Sequence, residues 1–366
     1  MLDRYDFQRT WLWNLQNSPT NQPFPDVKVP EVSESWSYLG RLTNSCLGIP
    51  AGPLLNANWL LYYSRLGFDI LTYKTVRTAA RDCYPLPNLV PVSTNSLPDS
   101  NQTVLTAETM QDDWAVSFGM PSVAASQWMA DVRKAKNGLM SGQLLVVSIV
   151  GEANSARRDS ARRDSVDHLL NVLADDYATC AKWAVDSGAD VVEANFSCPN
   201  VCSTDGQLYQ RPDQAVQVAS RIRDAIDDMP LVLKIGFYND ISEIEQFLDA
   251  VAPYVQGLCM TNSIAAKVVQ STQDRRSKTE LFDGQVRGIC GRAIHVASVR
   301  QVQTFCDLIR RKNLMMDVCA VGGIFDAADV QRYLNAGAAT VGMATSAMRD
   351  PMTAIHIRQQ WADDST

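Results

Sequence analysis

Short apolar runs alternate along the chain with longer stretches that carry hydrophobic residues at helical spacing. Most of the runs are rich in β-branched residues, and continuous apolar runs of this length suit strands that are buried on both faces, as in a parallel sheet. We predict eight such strands: Cys46–Ala51, Asp69–Val76, Leu144–Val150, Asp190–Asn195, Leu231–Ile235, Gly257–Asn262, Met316–Val321 and Ala339–Ala344.

The stretches between the runs predict amphipathic helices. Helical spacing of apolar residues extends over Asp167–Ser187, Asp213–Asp228, Ile241–Val251, Val296–Arg311 and Ala327–Ala336. Eight β-then-α units indicate an α/β fold, namely a closed (β/α)8 TIM barrel over residues 46–366 with an N-terminal extension over residues 1–45. A doubly wound open sheet is the alternative arrangement of the same elements.

Three segments fall outside this repeat. Residues 77–140 form a long insertion after the second strand, which predicts extended loop or a small extra sheet above the active site. The segment Ser155–Asp164 repeats Ser-Ala-Arg-Arg-Asp, which predicts an exposed loop, with an anion-binding arm as the alternative. Aromatic residues and leucines from Tyr5 to Leu15 predict one short amphipathic helix. It is either a strap over the bottom or side of the barrel or a membrane-surface or partner-docking element.

Composition narrows the possible partners and the compartment. The net charge of −7 disfavours nucleic acid as a partner. The nine cysteines are scattered without a Cys-x-x-Cys pair, and no run resembles a signal or membrane-spanning segment, so we expect a cytoplasmic protein without disulfides. The three histidines lie outside any ligand-spaced motif, which predicts no metal site.

In a barrel of this type, catalytic groups lie at the carboxyl ends of the strands. Gly322-Gly323 and Ala344-Thr345 follow the last two predicted strands, where barrels commonly bind phosphate. The N-terminus of the helix that begins near Asp326 would also donate N–H groups to the phosphate. The alternative is that Gly322-Gly323 only forms a tight turn. Lys74 and Lys234 end apolar strands, and a buried lysine is costly unless a negative or electron-rich group pairs with it. The electron-rich edge of a flavin would be such a group. An internal carboxylate such as Glu193 is the alternative.

The segment Asn195–Asn200 reads Asn-Phe-Ser-Cys-Pro-Asn and resembles the Asn-Leu-Ser-Cys-Pro-Asn segment of the class 1 dihydroorotate dehydrogenases. Further segments similar to this family follow in order: Ile49–Gly52, Tyr73–Thr75, Ser117–Pro121, Leu233–Lys234, Thr261–Ile264, Gly288–Gly291 and Val321–Ile324. The flavin domain of dihydropyrimidine dehydrogenase is similar to much of the same pattern. The resemblance covers roughly residues 45–350 and implies an FMN flavoprotein that oxidises dihydroorotate to orotate in pyrimidine biosynthesis.

The resemblance also implies a role for individual residues. Those that would contact FMN are Ala51, Gly52, Lys74, Thr75, Asn195, Lys234, Thr261, Gly291, Gly322, Gly323, Ala344 and Thr345. Those that would bind the substrate are Lys74, Ser117, Gly119, Met120, Asn195, Asn200, Asn262 and Ser263. Cys198 would be the catalytic base that takes the C5 proton while a hydride passes from C6 to flavin N5. A homodimer is implied, and the electron acceptor stays open between fumarate, NAD through a partner subunit, and a quinone.

The chain departs from the family pattern in its substrate loop. The family usually has Asn-Ser-x-Gly-x-Pro-Asn there, whereas this loop begins with Val116 and ends with Ser122, so both flanking amides are missing. Two further hypotheses follow from this difference. One is an FMN oxidoreductase of the same family that acts on another dihydropyrimidine or cyclic amide. The other is a non-catalytic barrel that serves as a binding module.

Overall fold

Eight parallel strands close into a barrel at the centre of the molecule in the computed structural model. The structure describes residues 2–19, 27–32, 35–100, 102–153, 166–197, 207–271 and 278–364, so the duplicated segment Ser155–Asp164 lies outside it. The strands of the described ranges are β1 (Trp36–Tyr38), β2 (Arg41–Thr43), β3 (Leu47–Ile49), β4 (Ile70–Val76), β5 (Leu89–Ser93), β6 (Gln102–Thr106), β7 (Asp113–Val116), β8 (Leu144–Ile149), β9 (Val191–Asn195), β10 (Leu231–Lys234), β11 (Gly257–Met260), β12 (Ile264–Ser271), β13 (Lys278–Glu280), β14 (Arg287–Gly291), β15 (Asp317–Val321) and β16 (Thr340–Gly342).

Helices follow most barrel strands and pack around the outside. They are α1 (Trp11–Gln16), α2 (Ala57–Ser64), α3 (Ala125–Gly138), α4 (Val166–Asp186), α5 (Pro212–Ile226), α6 (Ile241–Val251), α7 (His295–Arg311), α8 (Ala327–Asn335), α9 (Thr345–Arg349) and α10 (Thr353–Asp364). Among the described residues, no helix is both long and apolar enough to cross a membrane.

The barrel order is β3-β4-β8-β9-β10-β11-β15-β16, with β16 paired to β3. Each strand is one of the eight predicted from the apolar runs, so the closed barrel is confirmed and the open sheet is wrong. Every residue of β4 and of β8 is buried, because helices cover the outer face and side chains fill the interior.

The N-terminal extension contributes to both ends of the barrel. The hairpin β1–β2 covers the amino end, where Tyr38 is 2% exposed and the backbone N–H of Leu39 donates to Asp317 Oδ2 at 2.6 Å. The predicted helix from Tyr5 to Leu15 is shorter than expected, since α1 begins only after Thr10, whose hydroxyl accepts the Trp13 N–H at 3.1 Å. This first segment lies near the mouth of the barrel and not over its bottom.

A second sheet of six strands stands over the carboxyl ends of the barrel strands, in the order β13-β12-β14-β7-β5-β6, and β12 also pairs with β6. Strands β5 to β7 come from the stretch after β4. Strands β12 to β14 come from the connection after β11, which the sequence pattern did not single out. The two connections leave the barrel at its carboxyl end, so the sheet forms one wall of the barrel mouth.

Candidate active site

Two lysines are buried at the mouth of the barrel. Lys234 ends β10, is 2% exposed, and donates through Nζ to the Ala51 carbonyl oxygen at 3.3 Å. Lys74 lies near the end of β4 and donates through Nζ to the carbonyl oxygens of Thr75, at 2.9 Å, and of Pro121.

These lysines have no carboxylate partner within the described part of the chain. The alternative partner Glu193 is buried on β9, and its Oε1 atom forms no hydrogen bond there. A buried cation without a counter-ion is costly, so the pair of ammonium groups favours an anionic or electron-rich ligand at this point.

The environment of Lys74 changes its acid–base chemistry. The pKa of Lys74 is lowered to about 7, chiefly by burial and to a smaller extent by the nearby positive charge of Arg77, while Cys83 acts in the other direction. The lysine is therefore close to half-protonated near neutral pH. An anion bound beside it would raise this pKa again, because it stabilises the charged form.

Asn195 links the lysine region to the predicted substrate residues. Its Oδ1 accepts from the hydroxyl and backbone N–H of Ser197, at 2.7 and 3.1 Å, and Tyr177 fixes its backbone through a 2.8 Å bond to the carbonyl oxygen. Asn262 donates to Ser197 Oγ at 2.8 Å, and the Asn195 amide lies 3.6 Å from Met120 Sδ. Asn195, Asn262 and Met120 are thus brought together at one side of the mouth.

Cys198 and Asn200 follow directly after this cluster, in a stretch outside the described residues. Their predicted roles stay predictions.

The substrate loop makes an abrupt turn next to Lys74. Gly119 and Met120 have φ angles of 72° and 49°. Residues other than glycine rarely adopt a positive φ. Arg77 Nε donates to the Met120 carbonyl oxygen at 3.1 Å and holds the turn in place. Backbone strain of this kind costs about 1–3 kcal/mol and persists only where surrounding contacts determine it.

Two predicted substrate residues face the second sheet. Ser117 donates its N–H to the Asn88 carbonyl oxygen at 2.8 Å, and its Oγ accepts from Arg287 Nε at 2.9 Å. Ser263 lies against β14, where a Cβ added to Gly288 would lie only 2.3 Å from Ser263 Oγ. Ser117 and Ser263 therefore lie where the barrel mouth meets the second sheet, and their predicted contacts with the substrate stay predictions.

A cleft opens between the ends of β11, β14, β15 and β16. It is lined by Thr261, Asn262, Cys290, Gly291, Ile294, Val321, Gly322, Gly323, Ile324, Phe325, Gly342, Ala344 and Thr345. No carboxylate is among these residues, and burial raises the pKa of Cys290 to about 11, so that its thiol is neutral at physiological pH. A cleft of glycine backbone and hydroxyls without negative charge suits a phosphate.

The glycine loop of this cleft is held from behind. Gly322 and Gly323 have φ of 139° and 65°, and a Cβ on Gly323 would lie 2.6 Å from the Gly291 carbonyl oxygen. The Gly322 carbonyl oxygen accepts from Tyr333 Oη at 2.6 Å and lies 3.3 Å from His295 Nδ1. These contacts fix the orientation of the Gly322 carbonyl group.

The start of α8 does not supply the predicted anion site. Asp326 caps this helix by accepting the Asp329 N–H at 2.9 Å, and Asp329 in turn accepts the Phe325 N–H at 3.0 Å. Two carboxylates already occupy the N–H groups that a phosphate would need. These two N–H groups near the start of α8 are therefore already paired, which favours the glycine loop and the end of β16 as the candidate phosphate site.

Several residues that support the mouth were not predicted from the sequence. Ser148 shares a 3.0 Å hydrogen bond with Thr75 Oγ1, and Gln301 donates to Thr261 Oγ1 at 3.1 Å. A serine inside the apolar run of β8 was a usable signal, since a buried hydroxyl needs a partner. Gln301 and Trp11, which lies beside Lys74, gave no such local signal, because their partners are distant in the chain.

Comparison with known proteins identifies the family. The family model "Dihydroorotate dehydrogenase" matches residues 101–363. A dihydroorotate dehydrogenase of Dictyostelium discoideum is 31% identical over 99% of this chain and 97% of its own length. A catalytic subunit of dihydroorotate dehydrogenase B (NAD(+)) from Staphylococcus carnosus is 27% identical over 51% of this chain and 58% of its own length.

A solved structure agrees with the fold. The crystal structure of a dihydroorotate dehydrogenase from Eimeria tenella in complex with ferulenol has a TM-score of 0.69 at 18% identity, and covers 96% of this chain and 89% of that chain. The sequence relatives also support the class 1 resemblance. The chain therefore belongs to the dihydroorotate dehydrogenase family and is an oxidoreductase that acts on CH–CH bonds.

Proposed function

We propose that this protein oxidises dihydroorotate to orotate, with FMN as its resident cofactor and Cys198 as the catalytic base. The observation that carries the proposal is the pair of buried lysines, Lys74 and Lys234, which have carbonyl oxygens but no carboxylate as described partners beside a carboxylate-free cleft. Such a site suits a ligand with a phosphate at one end and an electron-rich ring edge at the other.

The residues present fit FMN. The phosphate would be held by the glycine loop and the rim of the cleft, through Gly291, Gly322, Gly323, Ala344 and Thr345. The ring would lie among Ala51, Gly52, Lys74, Thr75, Asn195, Lys234 and Thr261. At Gly52 the space beside the backbone is open, because an added Cβ there would meet no described atom within 4 Å.

Each group of the chain has a defined task in the reaction. FMN, when bound, supplies the acceptor for the hydride that leaves C6 of dihydroorotate. Cys198 takes the proton from C5, and Lys74, Met120, Asn195, Asn200 and Asn262 orient the ring, with Ser117, Gly119 and Ser263 forming the wall behind them. The polar chain Asn262–Ser197–Asn195 places these amides in fixed orientations, which lowers the entropic cost of alignment.

The test is anaerobic addition of dihydroorotate to the purified protein. We expect a flavin spectrum that bleaches, and release of FMN upon denaturation. A flavin that stays oxidised would reject dihydroorotate as the substrate, and a colourless protein without FMN would reject the cofactor. Reoxidation of the reduced protein with fumarate, NAD and a quinone then identifies the electron acceptor.

One observation favours a second substrate. Val116 ends β7 in pairing with Leu89 and Gly288, and its side chain brings no hydrogen-bonding group to the loop. A site that lacks one amide would accept another dihydropyrimidine or cyclic amide more readily. Titration with orotate separates the two functions, because tight binding requires the pyrimidine carboxylate to be recognised. Absence of turnover with any ring and any acceptor would instead indicate a non-catalytic binding module.

We predict that orotate binding weakens as the pH rises above about 7. Lys74 has its pKa lowered to about 7 by burial, so above this pH the free site must take up a proton before it pairs with the carboxylate. Linkage then gives a loss of up to ~10-fold in affinity per pH unit until the pKa of the bound state is reached.

Flavin difference titrations from pH 6 to 9 measure this effect. They are best made in the Cys198→Ser background, so that the thiol does not titrate. Lys74→Met should flatten the profile, while Lys182→Met, at an exposed position on α4, should leave it unchanged. A flat profile in the parent protein would contradict the prediction.

A further inference from the structure

The N-terminal segment of residues 2–18 packs onto the substrate loop. The ring of Tyr5 meets the ring of Phe118 edge-on, with centroids 6.2 Å apart, and Phe7 meets Trp114 at 4.9 Å. Trp114 belongs to β7 and Phe118 to the loop that follows it. The segment thus covers the loop through these two ring contacts.

Hydrogen bonds hold this segment in one arrangement. Asn14 is 1% exposed; its Oδ1 accepts the Asp6 N–H at 2.7 Å, and its Nδ2 donates to the carbonyl oxygens of Asp6 and Thr10, both at 3.0 Å. Trp59 Nε1 donates to the Asn14 carbonyl oxygen at 3.1 Å, and Asn56 Nδ2 donates to the Leu15 carbonyl oxygen at 3.0 Å. Asn56 also caps α2, so the segment is tied to a barrel helix.

Trp11 reaches the active site from this segment. Its ring centroid lies 5.3 Å from Lys74 Nζ, within the range of a cation–π contact. Trp11 is 5% exposed, and its indole Nε1 is buried without an acceptor among the described residues. A buried N–H without an acceptor is unfavourable, so an oxygen atom of a ligand would satisfy it.

We propose that Trp11 is a specificity-determining residue of the active site, which covers the Lys74 ammonium group and donates its indole N–H to the carboxylate of the substrate. The proposal rests on the proposed function, because it assumes that Lys74 faces the substrate. A carboxylate has two oxygens that accept independently, so it can pair with the ammonium group and the indole N–H together. The side chain of Val116 supplies no hydrogen-bonding group to the loop, and Trp11 would add a donor from outside the barrel.

The experiment compares Trp11→Ala and Trp11→Phe with Trp13→Ala in the FMN-loaded protein. Trp13 lies on the same short helix but is 38% exposed and stacks with Arg9, so it serves as the matched control. Affinities for orotate and for uracil, which lacks the carboxylate, are measured by flavin difference titration. We expect Trp11→Ala to weaken orotate about 10-fold and uracil hardly at all, Trp11→Phe to weaken orotate about 3-fold, and Trp13→Ala to match the parent.

A second measurement does not depend on the substrate. Peptide mass spectrometry measures how fast an amine-reactive ester acylates Lys74 over a range of pH. At high pH the amine is fully deprotonated, so the limiting rate reports how accessible it is. The groups that shift the pKa of Lys74 are the guanidinium of Arg77 and the titratable thiol of Cys83, and both are unchanged in all variants. We expect the limiting rate to rise about 10-fold in Trp11→Ala only.

The outcomes are separable. If the parent protein binds no orotate, the proposed function fails, and the labelling rates alone decide whether Trp11 covers Lys74. If orotate binds and Trp11→Ala leaves its affinity unchanged, or weakens orotate and uracil equally, the specificity role is rejected. Equal labelling of Lys74 in Trp11→Ala and Trp13→Ala would reject the covering role as well.

Discussion

Cys198→Ser is expected to slow the reduction of the flavin by dihydroorotate about 10²–10⁴-fold near neutral pH, the range that a positioned general base contributes. A thiol ionises several pH units below a serine hydroxyl, so the variant lacks a base of suitable strength while keeping a side chain of similar size. FMN should stay bound, because none of the residues assigned to its phosphate or ring is changed.

Stopped-flow absorbance under anaerobic conditions measures this rate directly. Raising the pH should recover part of the lost rate in Cys198→Ser, since the hydroxyl then loses its proton more readily. Cys306→Ala is a suitable control, because Cys306 packs on α7 against Gly337, away from the barrel mouth. A reduction rate in Cys198→Ser equal to that of the parent would mean that another group takes the proton.

Gly291→Ala is expected to release FMN and to destabilise the fold. Gly291 has φ of 111°, and an added Cβ would lie 1.8 Å from the Asp112 carbonyl oxygen, a backbone atom that cannot rotate away. Backbone strain costs about 1–3 kcal/mol, and the forced shift of packed atoms costs about 1–3 kcal/mol more. Strand β14 would have to move away from β7, which displaces the rim of the phosphate cleft.

FMN content after gel filtration and the midpoint of thermal unfolding report the two effects. Gly40→Ala provides the comparison, because Gly40 also has a positive φ of 74° but nothing lies within 4 Å of an added Cβ. Gly40→Ala therefore tests a positive φ without a clash, and FMN should remain bound. Full FMN occupancy in Gly291→Ala would show that this rim does not hold the phosphate.

Membership of the family does not identify the electron acceptor of this protein. The relatives include catalytic subunits of dihydroorotate dehydrogenase B (NAD(+)) and a full-length match from Dictyostelium discoideum, and the name of the latter gives no acceptor. The segment of residues 2–18 and the second sheet both stand at the barrel mouth, so they would also determine which acceptor can approach. Reoxidation of parent and Trp11→Ala proteins with the same three acceptors would reveal such an effect.

The sequence alone determined the barrel and the positions of its chemical groups. A strand buried on both faces is largely apolar, and this local requirement made β4 and β8 visible as runs. A polar group at the end of such a run then stands at the barrel mouth, as Lys74 and Asn195 do. These inferences need only neighbouring residues, so no tertiary contact had to be known.

Only the tertiary structure decided how the mouth is closed. Arg287 and Ser117 meet across the second sheet although they are 170 residues apart in the sequence, and no local pattern signals that pairing. The same holds for Trp11, whose side chain is buried only because its segment docks beside Lys74. Hydrophobic periodicity reports which side of an element is buried, whereas the partner that buries it depends on contacts between distant parts of the chain.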